Sequence, residues 1–382
     1  MTFRRSAPAA IIAAVVVVIA ALTFASNRLF SGLTAAIENG QFRLMQSIME
    51  AALRNAADNA LARAEIIAAL PAAREAVAVR DRERLLADYA SMFTGQKERH
   101  GVDQAQFHVL PAVSLLRLQD PATFGDDLTR FRPMVVAVNR EKAPHKGLAI
   151  ARTGPAVFGV APILDLQGKH VGSFEVGLEF GPLLDGLKAA YGLDFALFVE
   201  EKPLREFARG LNPAMLSDQN RIGRFIRFHT TDGALIKALA ADADISAVME
   251  PTRYVREALG LPYGVLLIPL RDGAGDPLGV IMAASDFSGS RAASGRALVW
   301  QLCIAVFAIV ILAGTVIVVI RGLLLRPLEV LDRRAAALAA GERAMALEPT
   351  DKFCAEIARL AGHVERLAKQ AAERKPDAGT KQ

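Results

Sequence analysis

Two apolar runs stand out in the hydrophobic pattern of the chain. Residues 6–27 are 22 consecutive positions without a charged side chain, and residues 297–320 are 24. Each run exceeds the roughly 20 residues that an α-helix needs to cross a bilayer. The pattern therefore predicts transmembrane helices over residues 8–29 and 297–320. The first run has a second interpretation as a cleaved signal peptide, because Arg4 and Arg5 precede it and small residues end it.

Basic residues beside these runs predict the orientation of the chain. Arg4 and Arg5 precede the first run, and Arg321 and Arg326 follow the second. Short flanks rich in Lys and Arg stay in the cytoplasm. Residues 1–7 and the segment after residue 320 are thus predicted to be cytoplasmic, and residues 30–295 to lie on the other side of the membrane.

The periodicity of residues 30–295 changes repeatedly between helix-like and strand-like. The first predicted elements are a helix to about Leu70 that Pro71 interrupts, a helix over 75–93, strands within 105–118, a helix over 124–142 that begins at an Asp cap, and a strand over 147–153. A second, smaller set comprises strands over 194–201 and 224–230, helices around 232–250, and the segment 252–259. The pattern predicts an α+β fold.

One hairpin signature occurs twice within this region. The sequence PILDLQGKHVG at residues 162–172 returns as PLRDGAGDPLG at residues 269–279, 107 positions later. In both copies an Asp and a Gly stand where a tight turn needs a backbone-bonding side chain and a positive φ, and β-favouring residues flank them. Two copies in register, each closing an αβ unit, predict a duplicated module.

Composition and charge exclude several classes of function. The hydrophobic content is 52% and the mean hydropathy is +0.28, which suits a membrane protein, while the net charge of +5 comes without a basic stripe that would favour nucleic acid. Cys303 and Cys354, the two cysteines, lie outside residues 30–295, so that region has no disulfide. The sequence has no zinc, nucleotide-loop or nucleophile-elbow motif, and its histidines lack ligand spacing. We therefore predict no catalysis, no metal and no cofactor.

The segment after the second apolar run carries two short heptad patterns. Apolar residues repeat at intervals of three and four in two groups, namely Leu324, Leu328, Leu331, Ala335 and Leu338, then Ile357, Leu360, Val364 and Leu367. Gly341 ends the first group, and only Met345 and Leu347 are apolar anchors between the groups. This pattern predicts two coiled-coil helices, whose open apolar seams favour a homodimer. The alternative is a pair of amphipathic helices at the membrane with no defined bundle.

Residues 107–139 carry a family resemblance in the string FHVLPAVSLLRLQDPATFGDDLTRFRPMVVAVN. It is similar to a long motif in one subgroup of the double Cache sensor domains of bacterial chemoreceptors and sensor kinases. The resemblance covers residues 40–290. It implies two stacked PAS-like antiparallel sheets on a long N-terminal helix, a membrane-distal module over about 70–185 and a membrane-proximal module over about 186–290. It also implies a small-molecule pocket in the distal module, although the signature of the amino-acid-binding variety is missing.

The cytoplasmic segment 321–370 resembles a HAMP domain, with Pro327 opening its first helix, Leu328 in that helix and Glu356 opening its second. These three residues are the expected signal-transducing positions, and residues 371–382 are expected to be a disordered tail. No methyl-accepting or kinase segment follows. The resemblance implies a two-pass sensor in a bacterial inner membrane that signals to an unidentified cytoplasmic partner. The alternatives are a membrane-tethered binding or assembly protein that does not signal, and a truncated chemoreceptor.

The candidate ligand-binding residues lie mostly on the strands and helix of the first set. They are His108, Ser114, Arg117, Asp127, Arg132 and Glu175. A sheet-lined pocket needs a few convergent polar groups among apolar walls, and two arginines would suit an anionic ligand such as a carboxylate. Each residue also has a structural interpretation: His108 as a packed strand residue, Asp126 or Asp127 as a helix cap, and both arginines as their ion-pair partners. Glu175 faces either solvent or the pocket.

Overall fold

The computed structural model describes residues 3–273, 275–340 and 354–373. These residues divide into two compact units. One consists of residues 35–291 and is called the sheet unit here; the other combines residues 1–34 with the described residues from 292 onward and is called the helical unit. The helices α1 and α9 each contribute residues to both units.

The predicted helices are present in the predicted order, with some shifts of boundary, and the structure adds two helices that the sequence analysis did not predict, over residues 180–191 and 201–207. They are α1 (Phe3–Ala69), α2 (Pro71–Ala78), α3 (Arg82–His100), α4 (Pro133–Glu141), α5 (Phe180–Tyr191), α6 (Glu201–Phe207), α7 (Gly233–Leu239), α8 (Asp242–Ser246), α9 (Ser288–Val319), α10 (Arg326–Ala339) and α11 (Ala355–Glu373). A π-helical segment, Ile320–Leu325, joins α9 to α10. The predicted break at Pro71 is confirmed, because α2 starts there with proline in its first turn.

The strands form two antiparallel sheets in the sheet unit. They are β1 (Val102–Val109), β2 (Val113–Arg117), β3 (His145–Ala151), β4 (Gly154–Leu164), β5 (His170–Glu179), β6 (Asp194–Glu200), β7 (Arg221–Ile222), β8 (Phe225–Thr230), β9 (Thr252–Ala258), β10 (Leu261–Arg271) and β11 (Pro277–Asp286). The five-stranded sheet has the order β2-β1-β5-β4-β3, and the six-stranded sheet has the order β7-β8-β6-β11-β10-β9. The predicted α+β architecture, two antiparallel sheets with a long N-terminal helix, is confirmed.

Both predicted hairpins are present and have matching turns. In β4–β5 the N–H of Asp165 donates to the Lys169 carbonyl, and in β10–β11 the N–H of Asp272 donates to the Asp276 carbonyl. Gly168 and Gly275 hold the left-handed backbone of these turns at φ values of 81° and 92°. Each ladder also slips by one residue near its turn. The repeat in the sequence is therefore a repeat of structure.

Two predicted helices differ from the structure. Residues 75–93 form parts of α2 and α3, which a turn separates, because Asp81 caps α3 by accepting the Arg84 N–H at 3.0 Å. The predicted helix over 124–142 begins only at Pro133, and Arg132 is the residue before its first turn. An Asp cap at its start is therefore wrong.

Helices cover both faces of the five-stranded sheet. Phe107, Phe174 and Ile163 of the five-stranded sheet pack into an apolar cluster with Ala76 and Leu85 from α2 and α3. The opposite face lies under α4, where Val135 and Val138 meet Phe158 and Val160 of β4. This α4-covered face holds most of the predicted binding residues.

In the helical unit, long apolar helices match the predicted spans. The stretches Pro8–Ala69 and Ser288–Ala337 contain windows with mean hydropathies of 2.7 and 3.2, which fit membrane crossing by length and composition. Within this unit the Gln301 amide donates to the Thr23 carbonyl at 2.8 Å. The two apolar helices are thus in contact inside the helical unit.

After the second apolar helix, α10 and α11 pack against each other through Leu331, Ile357 and Ala361. Helix α11 continues to Glu373, three residues into the segment predicted to be a disordered tail. Residues 341–353, which include Gly341, Met345 and Leu347, and residues 374–382 lie outside the described residues.

Candidate functional site

Polar side chains occupy alternate positions on two paired strands of the five-stranded sheet. Strand β1 carries Gln106 and His108, which lie opposite Glu175 and Ser173 of β5. Because side chains on a strand alternate between faces, these four point to the α4 side of the sheet, away from Phe107 and Phe174. His108 is fully buried, and its Nδ1 lies 3.2 Å from the Ser173 hydroxyl. A buried polar strip thus crosses an otherwise apolar sheet.

Arg117 ends strand β2 in a fixed, fully paired environment. Its guanidinium donates to both carboxylate oxygens of Asp126 at 2.7 Å, and to the Thr123 carbonyl at 2.9 Å. The hydrogen bonds from Arg117 hold the pKa of Asp126 below its usual range. Asp126 therefore orients an arginine and does not cap α4.

Asp127 has a local role in the same loop. Its carboxylate accepts hydrogen bonds from the Thr129 N–H at 2.9 Å and from the Thr129 hydroxyl at 2.5 Å, which lower its pKa. Asp127 is exposed and does not pair with Arg117 or Arg132. Its predicted role as a cap of α4 is also wrong, since α4 begins six residues later.

Arg132 and Glu175 form a buried ion pair between α4 and β5. The Arg132 guanidinium donates to Glu175 Oε2 and lies 4.2 Å from the centroid of the Phe158 ring. Burial raises the pKa of the Glu175 carboxyl, and the charge of Arg132 opposes that rise. Of the two orientations left open for Glu175, the structure places this carboxyl inside, with none of its surface exposed.

Three buried side-chain atoms on this side of the sheet lack a protein partner. Glu175 Oε1, His108 Nε2 and Asn139 Oδ1 are buried without a hydrogen-bond partner among the residues the structure describes. Burial, with the nearby charges of Arg132 and Arg117, lowers the pKa of His108 to about 3, so its ring is neutral at physiological pH. Buried polar atoms are normally satisfied, and unsatisfied ones are costly. This polar strip can therefore accept or exchange hydrogen bonds with a bound molecule.

A cavity of about 140 Å³ opens beside the strip. Three predicted residues line it, Arg117, Asp127 and Arg132. The other three are connected to the lining: Ser114 accepts the Gln106 amide at 2.8 Å, Glu175 binds Arg132, and His108 contacts Ser173 on the same face. The structure therefore gathers all the predicted ligand-binding residues into one region, with Asp127 at its exposed edge.

The sequence analysis missed several residues of the lining. They are Gln104, Gln106, Gln119, Arg152, Phe207 and Arg209. Gln104, Gln106 and His108 alternate along β1, so a period-two polar pattern was available in the sequence. Phe207 is the last residue of α6 and Arg209 lies two positions after it, beyond β6 in the chain. No sequence signal links either residue to β1.

Larger concavities lie elsewhere in the sheet unit but have less suitable chemistry. A groove of about 950 Å³ runs between α1, the end of α3 and α5, and its charged side chains, such as Arg54 and Lys97, are exposed. A second concavity of about 300 Å³ lies between α4, β3 and the turn of the second hairpin. Apart from Arg132, which also lines the second concavity, neither has buried polar side chains, so the smaller cavity is the better candidate site.

The equivalent face of the six-stranded sheet is apolar. At the offset of 107 residues, Ser173 and Glu175 correspond to Val280 and Met282. These pair with Phe198 and Ala196 of β6, as Ser173 and Glu175 pair with His108 and Gln106 of β1. All four of these residues are buried in an apolar cluster with α7 and α8. Only the first copy of the duplicated module has a polar strip.

The predicted signal-transducing residues lie on the helices after the second apolar run. Pro327 is buried in the first turn of α10, whereas Leu328 is exposed. Glu356 is an exposed residue in the first turn of α11, with its carboxylate 3.8 Å from Arg359. Across residues 3–273, 275–340 and 354–373, no cluster of three His, Cys, Asp or Glu could hold a metal ion.

These features define a module of two related antiparallel sheets, with a polar cavity beside one of them. The family model described as the double sensory domain of two-component sensor kinases matches residues 41–286. The chain belongs to this family. No curated protein matches it.

Solved structures of low similarity include several sensor domains. An extracellular ligand-binding receptor from Desulfohalobium retbaense is 12% identical over 64% of this chain and 40% of that chain, with a TM-score of 0.36. The ligand-binding domain of the Campylobacter jejuni chemoreceptor Tlp3, in complex with 4-methylisoleucine, is 11% identical over 67% and 92%, with a TM-score of 0.38. The periplasmic domain of Vibrio cholerae LuxQ is 12% identical over 67% and 99%, with a TM-score of 0.34. The family match alone carries the assignment.

Proposed function

We propose that this protein is a two-pass sensor of a bacterial inner membrane that binds a small molecule outside the cytoplasm. The observation that carries the proposal is the contrast between the two sheets. His108, Gln106, Ser173 and Glu175 form a buried polar strip beside a cavity, and their counterparts in the second module are apolar. Apolar walls with a few placed polar groups are typical of a ligand site. The five-stranded module is thus the ligand-binding, membrane-distal module.

The family and the two apolar helices support the remaining arrangement. Residues 1–7 and 321–382 are proposed to be cytoplasmic, with spans over 8–29 and 297–320 and a sensor domain over 30–295. The distal module covers about 70–185 and the membrane-proximal module about 186–290. Arginine flanks outside both spans favour this orientation over its reverse.

A chain of contacts supports signal relay from the cavity. Arg132, which pairs with Glu175, directly precedes α4. Gly273 lies in the turn of the second hairpin. The Cε of Met134 in α4 lies 3.5 Å from the position that a Cβ would take at Gly273. The last strand of that hairpin, β11, ends at Asp286, and α9 begins at Ser288. A ligand that shifts α4 would act on the strand that leads into the second span.

The helices beyond that span favour a HAMP-like dimer. Leu324, Leu328, Leu360 and Leu367 are exposed in the single chain although they occupy heptad positions. A second copy would cover them, and an unidentified cytoplasmic partner would read the bundle that results. Pro327, Leu328 and Glu356 are the proposed transmitting residues.

A ligand screen tests the binding function. Purified full-length protein is heated with amino acids, organic acids, purines and polyamines in turn. A ligand at 100 times its Kd should stabilise the folded state by about 2.7 kcal/mol. Gln106→Ala, which installs the residue found in the second module, should remove the shift, whereas Tyr254→Phe in the second module should retain it. A shift that survives Gln106→Ala would place the site elsewhere.

A membrane-tethered binding protein that does not signal is the competing function. Single cysteines along α9 would distinguish the two, with disulfide cross-linking measured with and without the compound found in the screen. A sensor should change its cross-linking rates at some positions. Identical rates at every position, with binding intact, would favour the tethered binding protein.

A further inference from the structure

We infer that the ligand cavity is shared between the two modules and that Arg209, from the six-stranded module, contacts an anionic group of the ligand. This inference rests on the proposed function of the cavity and adds the ligand class and a residue from outside the binding module. It is carried by the segment that ends α6 and continues beyond it. That segment, residues 206–210, lies against the five-stranded module at the mouth of the cavity.

Several contacts hold this segment in place. The ring of Phe207 meets the ring of Phe131 edge-on, with centroids 6.1 Å apart. The N–H of Gly210 donates to the Arg152 carbonyl at 2.8 Å. A Cβ at Gly210 would lie 3.2 Å from that same carbonyl oxygen, so the two backbones approach as closely as glycine allows. The second module therefore forms one wall of the cavity.

The charges around the cavity are unequally compensated. Arg117 and Arg132 are neutralised by Asp126 and Glu175, both through direct hydrogen bonds. In the described part of the chain, Arg209 has no carboxylate within ion-pair distance; its guanidinium lies 5.0 Å from the centroid of the Phe131 ring. The nearest carboxylate to Arg152 is that of Asp120, at 4.0 Å. Arg209 is therefore the arginine of this lining that has no carboxylate partner among the described residues, whereas Asp120 compensates Arg152 weakly.

This arrangement suits a small carboxylate. A guanidinium presents paired donors that match the two oxygens of a carboxylate. Leu128, Phe131 and Ile150 would contact the apolar part of such a molecule, and a cavity of about 140 Å³ accommodates only a small one. The sheet floor supplies Gln104 and Gln106. A ligand bound there would contact both modules and stabilise their junction.

The test uses full-length protein in detergent and three carboxylates, acetate, succinate and citrate, each at constant ionic strength. Acetamide and succinamide are neutral controls. We expect at least one carboxylate to raise the Tm and the amides to leave it unchanged. Arg209→Gln should weaken the binding of that carboxylate at least tenfold. Arg205→Gln is the matched control, because Arg205 lies on α6 four positions before Arg209, pairs with Glu201 and is not part of the lining.

The outcomes separate this inference from the proposed function. Binding that is lost in both Gln106→Ala and Arg209→Gln supports both. Binding that is lost in Gln106→Ala but unchanged in Arg209→Gln overturns the shared site and leaves the proposed function standing. If none of the three carboxylates binds the wild-type chain, the anionic ligand class is wrong, and the wider ligand screen decides the proposed function separately.

Discussion

His108 is a titratable residue that lies in an environment very different from water. It is fully buried on β1, it contacts Ser173, and two guanidinium groups lie near it. Both the loss of solvent and the nearby positive charge disfavour the imidazolium form.

This burial predicts a specific pH dependence of stability. The pKa of His108 is about 3 in the folded protein and about 6.5 in an unfolded chain. Between these values the unfolded state binds a proton that the folded state does not, so stability is lost as the pH falls from about 6.5 towards 3. The loss reaches about 1.4 kcal/mol per pH unit. Glu175 acts in the opposite direction, because burial raises its pKa.

Thermal unfolding at pH 7 and pH 5 would measure this effect. The Tm should fall less between these two values in His108→Gln than in the wild type, because the substitution removes the titrating group. His100→Gln changes an exposed histidine at the end of α3 and is the control. Equal pH dependence in His108→Gln and wild type would contradict the buried neutral imidazole.

At the scale of elements, the duplicated hairpin shows what a repeat preserves. The turns keep their hydrogen bonds and their left-handed glycines, whereas the α4-facing positions of β5 and the matching positions of β11 have diverged. A turn conformation depends on a few local residues, so it survives duplication. The composition of a covered face depends on what it packs against or binds.

The turn glycines predict opposite effects for one substitution. Gly168→Ala and Gly275→Ala should each destabilise the protein by about 1 kcal/mol, because alanine is strained at positive φ. Gly186→Ala within α5 should instead stabilise it by about 0.5 to 1 kcal/mol. No atom lies within 4 Å of the Cβ position at any of the three sites, so backbone conformation alone differs. Chemical denaturation would measure these changes, and a common sign for all three would disprove the explanation.

Elements also differ in how well local sequence predicts them. The strands and hairpins were predicted because their apolar and turn residues are contiguous. The start of α4 was misplaced because Asp126 and Asp127 have the residue type of a helix cap. Asp126 pairs with Arg117, nine positions earlier, and Asp127 bonds to Thr129. A tertiary ion pair thus overrode a local signal.

At the scale of the whole molecule, the proposed topology places the sheet unit and the final helices on opposite sides of the membrane. The sheet unit belongs to a sensory family, and two helices are apolar enough to cross a bilayer. Cysteine labelling can test the arrangement, because the chain contains only Cys303 and Cys354.

In spheroplasts, a membrane-impermeant maleimide should label Val79→Cys in a chain that lacks both natural cysteines, since Val79 is 74% exposed in the sheet unit. A chain that keeps Cys354 alone should be labelled only after the membrane is permeabilised. Labelling of Cys354 in sealed spheroplasts would contradict the proposed topology. Each protein has a single cysteine, at a different position, so each is the control for the other.

The sequence by itself determined the apolar helices, the two αβ sets and the repeated hairpin, because each of these follows from contiguous residues with one periodicity. It also identified some of the polar residues near the cavity, since His108, Ser114, Arg117 and Arg132 lie within one stretch of the chain. Only the tertiary structure decided which residues lie next to these polar side chains. Glu175 meets Arg132 across 43 positions, and Arg209 reaches the cavity from the second module. Such pairings depend on how sheets and helices pack, which no local pattern encodes.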